Sequence, residues 1–223
     1  MQKIVPMNRR ATRERHVRLY SAVKRLFDVL LSAAMLLLLA PVLLVIAVAV
    51  AIDTKAFPLF IQTRMGRGNI PFRMCKFRTM SPNAPANVAT YKLQNAGRYI
   101  SRLGGFLRRT SLDELPQLWN ILTGDMSFIG PRPVVLTEKQ LLELRARNGA
   151  NSVRPGLTGW AQVNGRDDVP IMEKAMLDAY YVQRFSPSVD ARILLRTVGY
   201  VFSGEGVTDG ANPRVEETFK HSA

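Results

Sequence analysis

The chain has 223 residues, and 31 Lys and Arg against 17 Asp and Glu give it a formal net charge of +14. Once its long apolar run is set aside, about 170 residues remain, enough for one modest domain but not comfortably for two. The basic excess predicts anionic partners, and no RNA-type motif or long basic tract indicates nucleic acid, which leaves lipid headgroups and phosphorylated substrates. The single Cys75 excludes an internal disulfide, and only His16 and His221 are available for histidine-based triads or zinc sites, which argues against both.

The N-terminal part predicts a membrane attachment. Residues 14–28 are basic with apolar positions at helical spacing, which indicates a leader helix lying at a membrane surface over residues 1–25. An uncharged apolar run of 24 residues follows at 29–52. At 1.5 Å per residue it is long enough to cross a bilayer core of ~30 Å.

Two features of this run leave its path open. Pro41 divides it into 12 residues before and 11 after, and a proline inside a helix removes one backbone hydrogen bond. Both flanks are basic, whereas a spanning helix normally has this excess on its cytoplasmic side only. A hairpin that enters and returns explains both features, but one kinked spanning helix remains an alternative because membrane helices tolerate prolines.

The remainder predicts an α-rich α+β domain over residues 53–204. Residues 58–64 and 70–80 have strand composition and are separated by a glycine-containing turn, which predicts a small β-hairpin. A loop is expected at 81–97, and a loosely held C-terminal tail at 205–223. Helical patterns occur at 98–109, 114–122, 137–148, 171–185 and 188–203.

The segment 107–122 contains the strongest candidate site. Asp113 lies three residues before Pro116, which predicts that it caps a helix, and Ser111 with Glu114 matches a capping box. The same two carboxylates, Asp113 and Glu114, can hold Mg²⁺ together with substrate phosphates, and a carboxylate can attack phosphorus. Spacing alone does not decide between the capping and the chemical interpretation.

Several cations are candidate phosphate ligands. Arg108 lies one turn before the carboxylates, and Arg132 is fixed between two prolines, which limits its backbone freedom. Lys76 and Arg78 are two apart on the predicted hairpin and so share one face. Arg154 lies in another rigid turn. Each signal also fits an ordinary solvated surface.

Taken together, these segments resemble the bacterial sugar transferases, the monotopic phosphoglycosyl transferases that start lipid-linked glycan assembly. The resemblance covers most of the chain, from about residue 24 to about residue 202. The motifs that carry it are KFRTM at 76–80, RRTSLDELPQLWNIL at 108–122, GDMSFIGPRPV at 124–134, VRPGLTGWAQVNGR at 153–166, DAYYVQRFS at 178–186 and DARILLRTV at 190–198.

The resemblance implies transfer of a sugar 1-phosphate from a UDP-sugar to undecaprenyl phosphate, with release of UMP and with Mg²⁺ as cofactor. Asp113 matches the nucleophile that forms an aspartyl-phosphosugar, and Glu114 matches the second carboxylate. Arg108 and Arg132 match phosphate-binding positions, while Lys76 and Arg78 fall in a basic motif whose role is less defined. The alternative function is a non-enzymatic scaffold that binds anionic lipid.

The resemblance also implies a compact family form with a re-entrant membrane helix over residues 26–52, broken at Pro41. Family members usually have Ser-Pro at the break, whereas this chain has Ala40 before Pro41. A site that uses UDP-sugar must face the cytoplasm, and the basic leader prefers the same side, so we expect a hairpin on the cytoplasmic face of the bacterial inner membrane. Anionic lipids are expected partners, and a homo-oligomer is compatible with the sequence.

Overall fold

A computed structural model of the chain describes residues 7–85, 96–165 and 169–203. The predicted loop at 81–97 therefore lies partly outside the described residues, and the predicted tail at 205–223 lies wholly outside them. The described helices and strands, in chain order, are α1 (Met7–Thr54), β1 (Leu59–Met65), β2 (Pro71–Phe77), α2 (Arg102–Arg109), α3 (Gln117–Thr123), β3 (Ser127–Ile129), β4 (Val134–Val135), α4 (Lys139–Asn148), β5 (Gly156–Thr158), α5 (Ile171–Gln183) and α6 (Pro187–Ser203).

Helix α1 unites the predicted leader and the apolar run in one element of 48 residues. Helical structure continues through Pro41, so the predicted break is not seen in the secondary structure. Proline lacks only one backbone N–H, and a helix can continue past that loss because the other hydrogen bonds are kept. The predicted division of the chain near residues 25, 52 and 204 stays a prediction.

Within the described residues, α1 is the one helix long and apolar enough to cross a membrane, judged by length and composition alone. Only 6% of its apolar window is buried, unlike the core helix of a soluble protein. Leu37 and Leu38 are 81% and 78% exposed, which leaves a wide apolar surface facing outward. Such a surface is costly in water and favours contact with lipid.

The opposite face of α1 packs against the rest of the protein over most of the apolar run. Met35, Leu36 and Leu39 contact a buried cluster formed by Met74, Leu118, Ile121 and Met126. Further along, Leu43, Ile46 and Ala47 join Val50 in a second cluster that contains Phe77 and Leu107. The domain is therefore attached along α1 and not only at its end.

The predicted hairpin is confirmed. Strands β1 and β2 are antiparallel, with Leu59 opposite Phe77 and Met65 opposite Pro71. The other described strands were not predicted: β4 pairs with β1 to complete a three-stranded sheet, and β3 pairs in parallel with β5. These strands are two or three residues long, too short to give an alternating pattern.

All five predicted helices of the domain are present, with shifted ends. Helix α2 begins at Arg102, four residues later than predicted, because the Ser101 side chain accepts from the Gly104 N–H and caps it there. Helices α4 and α5 enclose a small cluster of Leu141, Ala175 and Val134, and a larger one lies between β3, α5 and α6. The fold is thus helix-rich with a small sheet, as predicted.

Candidate active site

Asp113 and Glu114 lie in a single 3₁₀ turn, Leu112–Glu114, that joins α2 to α3. The chain reverses at Ser111, whose φ of 56° places it in the left-handed region. Leu112 and Leu115, one 3₁₀ turn apart, both pack into the cluster with Val50. This packing directs the two carboxylates away from the apolar cluster.

The prediction that Asp113 caps a helix is wrong. The N-cap residue of α3 is Pro116, and Ser111 makes no side-chain capping bond, so the predicted capping box is absent as well. Tertiary packing of the two leucines outweighs the local capping preference. The commonest structural explanation for an Asp at a helix start therefore does not apply to Asp113.

Asp113 is buried, with 7% of its surface exposed, and the adjacent Glu114 is half-buried. Burial and the neighbouring Glu114 carboxylate raise the pKa of Asp113 to about 6, although the charges of Lys76, Arg108 and Arg132 act in the opposite direction. Asp113 is therefore a desolvated carboxylate that is still mostly ionised at neutral pH. That is the state a carboxylate nucleophile needs.

Glu114 is held by an arginine. The Arg132 Nη2 lies 2.8 Å from the Glu114 Oε1. Burial acts to raise the pKa of Glu114, but the charge and hydrogen bond of Arg132 outweigh it, so the pKa lies below its ordinary value. The adjacent carboxylates thus differ in proton affinity, and Glu114 stays ionised where Asp113 begins to take up a proton.

Lys76, from the end of β2, faces both carboxylates. Burial lowers its pKa to about 8, while the charges of Asp113 and Glu114 act to raise it. Arg64 on β1 and Arg108 on α2 also act on Lys76. Arg64 was not predicted as a site residue, and it reaches this site because β1 pairs with β2 and aligns the two strands.

A buried ion pair between α4 and α5 holds the backbone of the turn that contains Arg132. Arg145 on α4 donates from Nη1 to the Arg132 carbonyl at 2.8 Å and from Nε to the Asp178 Oδ2 on α5, also at 2.8 Å. Arg145 and Asp178 are 2% and 1% exposed. This pair was not predicted, because 33 residues separate its members and neither carries a local motif.

Two glycine motifs bring the Arg132 turn and the Arg154 turn together. The Gly130 N–H donates to the Thr158 carbonyl at 2.8 Å, and the Gly156 N–H donates to the Pro131 carbonyl at 2.9 Å. A Cβ on Gly156 would overlap the Gly130 backbone, so only glycine permits this approach. The contact sets the position of the Pro-Arg-Pro turn.

Asn120 ties α3 to β2 and so sets the distance between the carboxylates and Lys76. Its side-chain oxygen accepts from the Cys75 N–H at 3.0 Å, and its nitrogen donates to the Arg73 carbonyl at 2.8 Å. Cys75 itself is a half-buried free thiol, and burial raises its pKa. Cys75 therefore lacks the lowered pKa of a reactive cysteine.

The other two predicted phosphate ligands, Arg78 and Arg154, have different surroundings. Arg78 shares a face with Lys76, as predicted, since both lie over the Phe60 ring at 5.9 Å and 5.6 Å. The Arg78 Nε donates to the Phe57 carbonyl at 3.0 Å, and Arg78 as a phosphate ligand stays a prediction. Arg154 lies in a separate cavity together with Arg25 and Arg67.

This site combines a buried carboxylate, a second carboxylate and four cations: Lys76, Arg64, Arg108 and Arg132. Cations in this number complement a diphosphate, whose charge they can balance during bond cleavage. In the described part of the chain, no cluster of three or more His, Cys, Asp or Glu side chains can form an all-protein metal site. Any metal here must complete its ligands with water and substrate phosphates, which is the usual manner of Mg²⁺.

The comparison with protein families agrees with this geometry. The family model described as bacterial sugar transferase matches residues 19–204. The chain is 42% identical over 188 residues to a UDP-glucose:undecaprenyl-phosphate glucose-1-phosphate transferase of Escherichia coli, covering 79% of this chain and 39% of that protein. It is 35% identical over 195 residues to a UDP-N-acetylgalactosamine-undecaprenyl-phosphate N-acetylgalactosaminephosphotransferase of Aeromonas hydrophila, covering 84% and 45%.

The chain spans less than half the length of these two relatives. It spans 87% of the exopolysaccharide production protein ExoY of Rhizobium meliloti, with 39% identity over 198 residues that cover 82% of this chain. Residues 76–80, 108–122 and 124–134, which carry the resemblance and surround the site, all lie within the matched range 19–204. The chain belongs to the bacterial sugar transferase family.

Proposed function

We propose that this protein transfers a sugar 1-phosphate from a UDP-sugar to undecaprenyl phosphate and releases UMP. The observation that carries the proposal is the buried carboxylate of Asp113, which has a raised pKa and lies among the charges of Lys76, Arg108 and Arg132. The relatives named as UDP-sugar:undecaprenyl-phosphate transferases support the same reaction. A scaffold that only binds anionic lipid has no need of a buried carboxylate.

In the proposed first step, an Asp113 carboxylate oxygen attacks the β-phosphorus of the UDP-sugar. The bond from this phosphorus to the bridging oxygen breaks, and that oxygen leaves with its electron pair as part of UMP. The product is an aspartyl-phosphosugar. Lys76, Arg108 and Arg132 surround the carboxylates, so they can stabilise the charge that develops on the phosphoryl oxygens.

In the second step, an oxygen of the lipid phosphate attacks the same phosphorus. The bond between phosphorus and the Asp113 oxygen breaks, which regenerates the carboxylate and yields the lipid diphosphosugar. Two displacements at one phosphorus divide a difficult transfer between two large substrates into two simpler ones. The two substrates therefore need not be bound at the same time.

The carboxylates fit the proposed Mg²⁺. Asp113 and Glu114 offer hard oxygen ligands on adjacent residues, and this is the pair that would hold the ion together with the substrate diphosphate. When bound, Mg²⁺ supplies neutralisation of phosphate charge. The ion pair of Arg132 with Glu114 keeps that carboxylate ionised and therefore able to bind a cation.

Both ends of the apolar run contact one domain, and this supports the re-entrant path. Arg25 donates to the Ile121 and Leu122 carbonyls, and Val50 packs against Phe77 and Leu107. The hydrocarbon core of a bilayer is ~30 Å thick, so a domain on one side of it can touch both ends only if both lie on that side. We place the domain on the cytoplasmic face of the inner membrane, where UDP-sugars are available.

The test is release of UMP by the purified full chain. The chain is mixed with Mg²⁺, undecaprenyl phosphate and a panel of UDP-sugars, and UMP is measured with and without the lipid phosphate. We expect release from at least one donor, and loss of at least about 10³-fold in Asp113→Asn, because no nucleophile remains. Arg147→Gln, which changes an exposed arginine on α4, is the control and should keep the rate. Full turnover in Asp113→Asn would exclude Asp113 as the nucleophile, and no UMP from a broad donor panel would favour the scaffold.

A further inference from the structure

A cavity lies at the C-terminal end of α3, between α1 and the turn that leads into β5. It has a volume of about 180 Å³ and is lined by Lys24, Arg25 and Asp28 from α1, by Arg67 from the turn between β1 and β2, and by Arg154. A single water needs only about 10–15 Å³. The cavity therefore has room for a larger polar group.

Two of its arginines are held by the C-terminal end of α3. Arg25 donates from Nη1 to the Ile121 carbonyl at 2.6 Å and from Nη2 to the Leu122 carbonyl at 2.9 Å. Arg154 donates from Nε to the Gly124 carbonyl at 2.8 Å. These bonds to neutral acceptors fix both guanidinium groups in place without neutralising their charge.

The positive charge of the three arginines is only partly balanced by the residues around the cavity. Arg25, Arg67 and Arg154 form no ion pair within the described ranges of the chain. Asp28 is the one carboxylate among the lining residues, and its Oδ1 accepts from the Phe128 N–H at 3.2 Å. Burial lowers the pKa of Arg154, and the charges of Arg25 and Arg67 lower it further, while the single charge of Asp28 acts in the opposite direction without outweighing them. An anion in the cavity would relieve this repulsion.

Hydrogen bonding to the carbonyls at the C-terminal end of α3 accounts for Arg25 and Arg154 but not for Arg67. Arg67 comes from the opposite side of the cavity, where its Nε donates to the Ser152 carbonyl at 3.1 Å, and it makes no bond to α3. Arg67 is exposed, so no buried carboxylate requires its charge at this position. A third converging cation is typical of a phosphate-binding site.

The cavity lies where α1 would meet the membrane surface. Arg25 and Asp28 directly precede the apolar run that begins at Val29. Leu26 and Phe27, between them, are 61% and 60% exposed on the outward side of the helix. Lipid phosphates lie at the boundary of the hydrocarbon core, at the depth that this part of α1 would occupy.

We propose that the cavity formed by Arg25, Arg67 and Arg154 binds the phosphate group of an anionic membrane lipid, as a site separate from Asp113. The inference rests on membrane attachment through α1 and does not depend on the transfer reaction. Soluble phosphate offers the same chemistry, and position next to the apolar run favours the lipid. A bound headgroup here would fix the depth of α1 and so orient the domain on the membrane.

The test uses the full chain in nanodiscs of phosphatidylcholine. Short-chain phosphatidylglycerol, short-chain phosphatidylcholine and inorganic phosphate are each titrated, and the Tm is followed, because a ligand that binds only the folded state raises it. We expect a saturable rise with phosphatidylglycerol only. Arg67→Glu and the milder Arg67→Gln should each weaken this binding by at least about tenfold.

The matched control is Arg18→Glu, which removes the same charge from an exposed position of α1 that does not line the cavity. Its binding of phosphatidylglycerol should stay within about twofold of the wild type. Equal losses in Arg18→Glu and Arg67→Glu would mean diffuse attraction of the basic surface and would overturn the site, as would the lack of any saturable rise. A rise with inorganic phosphate alone that depends on Arg67 would overturn the lipid as the source. UMP release, measured on the same samples, reports on the proposed reaction independently.

Discussion

Asp113 shows how one residue can combine a functional gain with a cost in stability. Its carboxylate is buried among cations, yet its pKa is raised and not lowered, because burial outweighs the attraction of Lys76 and the arginines. A raised carboxylate pKa means that ionisation of the group lowers the free energy of unfolding of the protein. Sites that keep such a group commonly keep it for chemistry.

We therefore expect Asp113→Asn to stabilise the metal-free protein at neutral pH. The folded pKa of about 6 lies above the ordinary value of 3.8, so the folded state binds more protons between these values and wild-type stability falls as pH rises through them. The variant lacks this loss. In EDTA, the Tm of Asp113→Asn minus the Tm of the wild type should grow by a few degrees from about pH 4 to about pH 7. The control is Asp53→Asn, which makes the same substitution at an exposed acid outside the site and shows what the change of side chain does by itself. An advantage of Asp113→Asn that shrinks as pH rises would show that the carboxylate is stabilised by its cations.

Helices α4 and α5 contribute to the site through one buried pair. The Arg145–Asp178 pair joins the two helices, and the remaining donor of Arg145 holds the backbone of the Arg132 turn. Arg132 in turn binds Glu114. An ion pair between two other helices can therefore position Arg132, the proposed phosphate ligand.

Asp178→Asn should lower both stability and UMP release. It leaves Arg145 buried without its countercharge, which typically costs about 3–5 kcal/mol. A double variant, Arg145→Met with Asp178→Leu, replaces the pair by apolar side chains and should recover most of that stability in a denaturant titration. The Arg132 carbonyl still lacks its donor in the double variant, so we expect kcat/KM to stay low. Recovery of kcat/KM together with stability would show that the pair is merely structural.

At the scale of the whole molecule, the sequence predicted the elements better than their junctions. The hairpin and the helices of the domain follow from periodicity and composition, and Asp113 and Glu114 stand out as adjacent acids within a long motif. Arg64, Arg145 and Asp178 could not be predicted, because each reaches the site through strand pairing or helix packing between segments distant in sequence. The supposed cap at Asp113 failed for a related reason, since Leu112 and Leu115 pack against α1 and determine the turn.

The path of α1 through the membrane decides how the whole molecule is arranged, and single cysteines can test it. Arg18→Cys on α1 and Lys139→Cys on α4 are exposed positions on either side of the apolar run, each to be made with Cys75→Ser and labelled with an impermeant maleimide. We expect both to react in inverted vesicles and neither in intact spheroplasts, since a re-entrant chain keeps both ends in the cytoplasm.

Pro41→Ala restores the missing N–H and allows a straight apolar helix of about 36 Å, long enough to span, so position 18 should become reactive from outside in part of the molecules. Ala40→Ser, which keeps Pro41, is the control and should label like the wild type. Reaction of positions 18 and 139 from opposite faces in the otherwise unchanged chain would mean that α1 crosses the membrane.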